Sequence, residues 1–299
     1  MNKSVFAVWK HSEKMGIHLL RGYSESALCS GFYIEDKRIC LDAGIPVYAE
    51  PHFLFITHGR SDHAGQVATI LTGNSKPVQV FVPVGTRQQF IDLIVAKQRL
   101  TKNNALLTEQ EVLQNRCTVV ELSDNQIVDL DCVGEKMRVV GFKTEHKVPS
   151  IGFAFYYERS RLQACYKSLT GAELKKLKES KTVITETYYA PAFCYVGDSL
   201  QTWLDHHIFK QSRFPHIICE CTFIGSLEKS VDEAMQRASE HGHTCWEGLA
   251  PKIAAYNASL ETKTEFILTH WSNRYLSDGS ALIKNHFKNI PNVRPWTGD

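Results

Sequence analysis

Apolar residues along this chain fall into two kinds of run, and the change from one to the other separates its two halves. In the first half the runs are short, nearly continuous and bounded by Gly, Pro or charged residues, as in strands with both faces buried. Segments 31–34, 38–41, 53–57, 77–84, 117–122, 138–142 and 151–157 read this way. Helical spacing interrupts them twice. A helix is expected to open after Ser61, which can cap it, and to carry Val67, Ile70 and Leu71 on one face. A second over 86–100 would bury Phe90, Ile91, Leu93, Ile94 and Leu100. In the second half strands at 183–187, 193–196, 216–223 and 265–269 alternate with helices at 171–181, 200–209, 230–241, 246–259 and 278–287. There is no repeat of 20–50 residues and no low-complexity linker. Strands first, then strand–helix alternation, predict a layered α/β sandwich occupying residues 1–299 as a single domain.

Composition narrows the class. Of 299 residues, 43% are hydrophobic and 22% charged, the ordinary globular range for a chain long enough to bury a large core. Lysine and arginine number 34 against 32 acidic residues, which argues against attachment to nucleic acid by bulk charge alone and leaves room for a local basic patch. No run approaches the roughly 20 apolar residues that cross a bilayer, so no membrane span is expected. Lys3, Lys10, His11, Glu13, Lys14 and Arg21 break up the N-terminal stretch, which predicts no secretory segment. Nine cysteines, an odd number without a CxxC pair, point to reduced thiols in a cytoplasmic setting. Cys219 and Cys221, two apart in an apolar run, are expected in the core.

Four segments repeat one design, a short apolar strand followed by a residue that can bind metal. FLFIT leads to His58, with Asp62 and His63 close behind; RVVGFKTE leads to His146, FCYVG to Asp198 and FILT to His270. Strand ends in layered α/β folds are where distant parts of a chain converge on a site. Histidine and aspartate are the ligands that hold zinc while leaving a position open for water. A lone histidine after a strand is usually structural, but four in parallel are not explained that way.

These motifs carry a resemblance. THGRSDH, from Thr57 to His63, resembles the THxHxDH loop of the metallo-β-lactamase superfamily. HKVPSIGFAF around His146, YVGDS with Asp198, ECTF with Glu220, HTC with His243 and LTHWSNRY with His270 are similar, in order, to the motifs of ribonuclease Z. The match covers roughly residues 25–275. It implies a four-layer αββα sandwich and a metal-dependent phosphodiesterase acting on RNA, with trimming of precursor tRNA 3′ ends as the expected reaction. It also implies a homodimer. One metal would take His58, the residue at position 60, His146 and Asp198; a second would take Asp62, His63, Asp198 and His270. Glu220 would orient His243 as proton donor to the leaving oxygen. Zinc is the expected ion, with manganese or iron compatible.

Two features depart from that pattern. Arg60 stands where the family has a ligand, and a guanidinium offers a metal no lone pair. The resemblance therefore leaves three states open. One metal binds and Arg60 stands in for part of the missing charge, which is the favoured reading; or Arg60 swings aside from a weak three-ligand site; or the site is degenerate. The second departure concerns the glycine- and proline-rich arm that ribonuclease Z uses to hold tRNA, which residues 85–145 do not contain and no other segment clearly supplies. Lys175, Lys176, Lys178 and Lys181 are expected on a solvated helix face, and His206 and His207 at the surface. The rival functions are hydrolysis of a small ester, lactam or cyclic nucleotide, and RNA binding by a catalytically impaired homologue.

Overall fold

In the computed structural model, residues 12–16, 18–46, 50–258, 261–276 and 280–298 are described. Lys3, Lys10 and His11, and the expected helix ends at 259 and 278, lie outside them. Two seven-stranded sheets face each other. The first runs in chain order through β1 (Ser12–Met15), β2 (His18–Glu25), β3 (Cys29–Ile34), β4 (Ile39–Leu41), β5 (Phe53–Phe55), β6 (Val78–Pro83) and β7 (Cys117–Leu122). The second runs through β8 (Ile127–Cys132), β9 (Glu135–Lys143), β10 (Ile151–Leu162), β11 (Thr185–Tyr195), β12 (His216–Glu220), β13 (Glu265–Thr269) and β14 (Val293–Pro295). Each begins antiparallel and turns parallel, the first from β4 onward and the second from β11 onward. In each parallel half all carboxyl ends lie on one edge, where an open α/β sheet gathers its site.

Aromatic residues fill the space between the sheets. Phe55 stacks on Phe81 at 4.5 Å and meets Phe153 and Phe155 edge-on, while Phe155 stacks on Phe193 at 4.3 Å. The outer face of the first sheet is covered by helices Val67–Gly73, Arg87–Lys102 and Glu109–Arg116 through Leu71, Ile91, Ile94 and Val112. Helices His207–Gln211, Trp246–Ala258 and Ala281–Phe287 cover the second through Phe209, Leu249, Ile253 and Ile283. The result is the expected helix–sheet–sheet–helix sandwich.

Several elements differ from the sequence reading. Ser61 does not cap a long helix: Arg60 takes the N-cap position, and Ser61–Ala64 forms a single turn before a fresh helix at Val67. On Arg87–Lys102 the inward face is Phe90, Ile91, Ile94, Val95 and Gln98, leaving Leu93 45% and Leu100 77% exposed. Segments 183–187 and 193–196 belong to one strand, β11. Segment 200–209 is a 3-10 turn, Gln201–Asp205, followed by the helix His207–Gln211. Strands β1, β2, β8 and β14 have no counterpart in the sequence pattern.

The largest correction concerns the arm. β10 and β11 pair all the way out to Leu162 and Thr185, but β9 accompanies β10 only as far as Tyr157. The remainder projects as a two-stranded ribbon, closed by a segment holding helix Gly171–Glu179, on which no residue is buried. Between Glu158 and Arg161 the strand has no apolar alternation, so a pattern reading stops at Tyr157. Cross-strand pairing holds it instead, including Arg161 to Glu186 at 2.8 Å. The ribbon differs from the arm the resemblance implied in having one glycine, Gly171, and no proline over 158–189.

Candidate metal centre and acid pair

Ligand-type side chains from both sheets converge at the carboxyl edges of the parallel strands. His58, Asp62 and His63 follow β5, Asp198 follows β11, and His270 follows β13. His146 lies in the loop between β9 and β10. Two glycines let the segments approach. A Cβ on Gly44 would stand 1.7 Å from the Asp62 carbonyl oxygen, and Gly197, at φ +69°, would press one into Thr57 at 2.5 Å. The structure brings all six expected ligands together, in two overlapping groups: Asp62, His63, Asp198 and His270, and His58, His146 and Asp198.

What these atoms lack is as informative as their proximity. Nε2 of His58, His63, His146 and His270 and both carboxylate oxygens of Asp198 are buried without any hydrogen-bond partner. Six orphaned polar atoms in one place would be costly unless a cation satisfied them. The spacing fits one. With bonds of about 2.0–2.2 Å to nitrogen and oxygen, a tetrahedral ion holds its ligand atoms about 3.3–3.6 Å apart. His63 Nε2 is 3.2 Å from Asp198 Oδ1, and His270 Nε2 is 3.3 Å from Asp198 Oδ2 and 3.6 Å from Asp62 Oδ2. The other group is looser, with His58 Nε2 3.9 Å from Asp198.

Each imidazole is oriented through its other nitrogen. His63 Nδ1 meets Asp42 at 2.7 Å and His146 Nδ1 meets the Gly242 carbonyl at 2.8 Å. Both partners only accept, so the proton sits on Nδ1 and the Nε2 lone pair faces the centre. His58 and His270 reach the same state through threonines. Thr57 and Thr222 each donate a hydroxyl proton to a carboxylate, Asp42 and Glu220 respectively. Each hydroxyl therefore accepts from the neighbouring Nδ1, at 3.1 Å from His58 and 2.9 Å from His270. Asp42, Thr57, Thr222 and Tyr195, whose hydroxyl donates to Asp42 at 2.6 Å, were given no role in the sequence reading. Asp42 had a visible signal, because ICL followed by Asp repeats the strand-then-ligand design.

Charge is distributed unevenly over the two groups. Burial, and then the neighbouring His63, hold His58 well below the usual imidazole range, and burial also lowers His146. Burial opposes charge on His63 too, but Asp198 and Asp42 on either side push it well above that range. Despite its burial, Asp62 is held at about 2 by His270 and His63.

Arg60 keeps its backbone in the loop, where its carbonyl accepts from the amides of His63 and Ala64 at 3.0 and 2.8 Å. Its half-buried side chain makes no hydrogen bond or ion pair among the described residues, and its charge disfavours protonation of His146 and His243. The guanidinium therefore acts on the His146 side of the cluster and on His243. Beside the centre, Glu220 accepts from His243 Nδ1 at 3.1 Å and from the Ser199 amide at 2.7 Å. Although burial resists it, Glu220 and then Asp198 push His243 up to about 9, so at neutral pH it carries a proton.

Fold and site together define a class, the metallo-β-lactamase fold with a His/Asp cluster that could hold a divalent metal. A metallo-β-lactamase-fold protein from Bacillus subtilis, YhfI, superposes with a TM-score of 0.54 over 92% of this chain and 94% of its own, at 14% identity, a likeness of fold alone. No family model matches the chain. Among curated proteins, the chloroplastic tRNase Z TRZ2 of Arabidopsis thaliana is 27% identical over 252 residues, 82% of this chain and 65% of that protein. Its tRNase Z TRZ1 is 26% identical over 75% of this chain and 73% of that protein. The nuclear ribonuclease Z of Triticum aestivum is 31% identical over 145 residues, 45% of this chain and 72% of that protein. The chain belongs to the ribonuclease Z family.

Proposed function

We propose that this chain is a metal-dependent endoribonuclease that trims precursor tRNA at the 3′ end, using one tightly held ion. The carrying observation is the Glu220–His243 pair beside the ligand cluster. A basic ribose oxygen leaving a phosphodiester departs faster when a positioned acid protonates it, and this pair is placed to do that. Asp62, His63, Asp198 and His270 would hold zinc, with manganese or iron compatible. His58 and His146 would complete a second, weaker site. Bound there, a divalent ion supplies Lewis acidity and lowers the pKa of water.

The chain's own residues do the rest. Glu220 accepts from Nδ1 of His243, fixing the ring so that Nε2 delivers its proton to the departing oxygen. Asp198 spans both ligand groups and so fixes where the reacting phosphate sits. Arg60, beside the weaker group, donates to phosphate oxygens and supplies positive charge where the family's other ligand is missing. The ribbon offers a second RNA surface: over 158–187 it carries seven basic and four acidic residues, with Arg159 over Tyr157 at 4.2 Å and Arg161 over Tyr188 at 5.1 Å. Arginines seated on half-buried rings are held in place for phosphate contact. It also weakens the small-substrate reading, which drew on the lack of an arm. By the resemblance the chain pairs as a homodimer. All nine cysteines are free, which favours the cytoplasm or another reducing compartment, and no described helix is long and apolar enough to cross a membrane.

Precursor tRNA, bis-(p-nitrophenyl) phosphate and a chromogenic β-lactam, assayed side by side, test the proposal. Cleavage of both phosphodiesters without lactam turnover is expected. Failure on both would remove it, and salt-sensitive RNA binding without cleavage would leave the impaired homologue.

A further inference from the structure

Tyr195 and Asp42 meet across the sandwich. Tyr195 ends β11 of the second sheet and Asp42 follows β4 of the first; both are buried, and the phenol donates to Asp42 Oδ2 at 2.6 Å. The same oxygen accepts from His63 Nδ1 at 2.7 Å. A hydrogen-bonded chain thus runs from the second sheet, through a carboxylate of the first, to an imidazole whose other nitrogen faces the metal centre. Three residues beyond Tyr195 the same segment delivers Asp198, which faces that imidazole at 3.2 Å. One strand end therefore holds His63 from both sides. We propose that Tyr195 is a positioning residue of the metal centre, its hydroxyl fixing the separation between ligands given by the first sheet and those given by the second.

Packing alone does not ask for the hydroxyl. The Tyr195 ring meets Phe32 edge-on at 6.1 Å, and phenylalanine would fill the same space. Nor does Asp42 need it for satisfaction, since the Thr57 amide at 2.7 Å and hydroxyl at 2.9 Å remain along with His63. Asp42 does adopt a left-handed φ of 58°, unfavourable for a residue with a Cβ and kept only where surrounding bonds impose it. Removing the hydroxyl leaves the fold and the other bonds of the carboxylate intact but frees the carboxylate, and His63 with it, to shift.

This rests on the metal-dependent reading above. The test compares wild type with Tyr195→Phe by chelator competition for zinc, by the visible spectrum of the cobalt-substituted protein and by melting of the metal-free form. Loss of an outer partner of a ligand typically weakens metal about 10–100-fold. We expect a weakening of that size and an altered cobalt spectrum, with metal-free melting unchanged. If the role runs through Asp42, then Asp42→Asn with Tyr195→Phe binds zinc no more weakly than Asp42→Asn alone. Unchanged affinity and spectrum in Tyr195→Phe, or loss of its fold, would overturn the proposal. Wild-type protein that binds no metal would instead remove the reading beneath it.

Discussion

A guanidinium at position 60 changes what its neighbours can hold. It sits beside His146 and His243, where burial already keeps His146 and nearby His58 neutral, and leaves intact the acidic field around Asp62, His63 and Asp198. Arg60→His should therefore raise bound metal and phosphodiester hydrolysis together, read by elemental analysis and turnover of bis-(p-nitrophenyl) phosphate. Added metal without added turnover would mean that the guanidinium had been serving the reaction itself. At the acid pair the expected signs differ. His243→Ala should lower kcat by about 10²–10⁴ while metal content stays the same. Glu220→Gln should be milder in rate but should disturb His270 through Thr222, since one carboxylate serves both rings. A loss of metal in His243→Ala would place that imidazole among the ligands.

At the scale of elements, strands that end in a ligand announced themselves because an apolar run stops abruptly at a polar side chain. β5 and β13 are legible for that reason. The ribbon was not, because its outer half buries little and is held by strand pairing and side-chain pairs that no periodicity records. Its function should be separable. Replacing 159–187 by a tight turn should weaken precursor tRNA binding and leave hydrolysis of the small phosphodiester unchanged. Neutralising Lys175, Lys176, Lys178 and Lys181 should flatten the salt dependence of RNA binding, by about 0.7–0.9 in logarithmic slope for each phosphate that a lysine no longer neutralises. An equal loss on the small substrate would show that the ribbon supports the centre instead.

The ribbon's root gives a pH prediction. Burial opposes charge on Glu135, but Lys37 at 2.7 Å and Arg159 at 2.7 Å hold its carboxyl below the usual range. A carboxyl lowered on folding stabilises above its unfolded pKa of about 4.3 and loses that contribution as pH falls through the folded value. Glu135→Gln should cost stability at pH 7 and little near pH 3, as read by urea unfolding. A cost independent of pH would assign it to packing.

Across the whole molecule, the architecture is legible from the order of strand and helix patterns, and the convergence of six ligand-type residues from the segments that precede them. Less visible was everything that ties the two sheets together at the site. Asp42, Thr57, Tyr195 and Thr222 act through contacts between segments 15 to 153 residues apart, and no local pattern encodes such a contact. Because the ligands come from both sheets, metal and fold should be linked. At a free concentration of 100 times Kd an ion bound to the folded state alone adds about 2.7 kcal/mol, so a chelator should lower Tm.

The most direct measurement is metal per chain in protein purified without chelator, by elemental analysis, for wild type beside Asp198→Asn and Arg60→His. One ion in wild type, essentially none in Asp198→Asn and close to two in Arg60→His is the expected result. Two tightly bound ions in wild type, or none in any of the three, would contradict it.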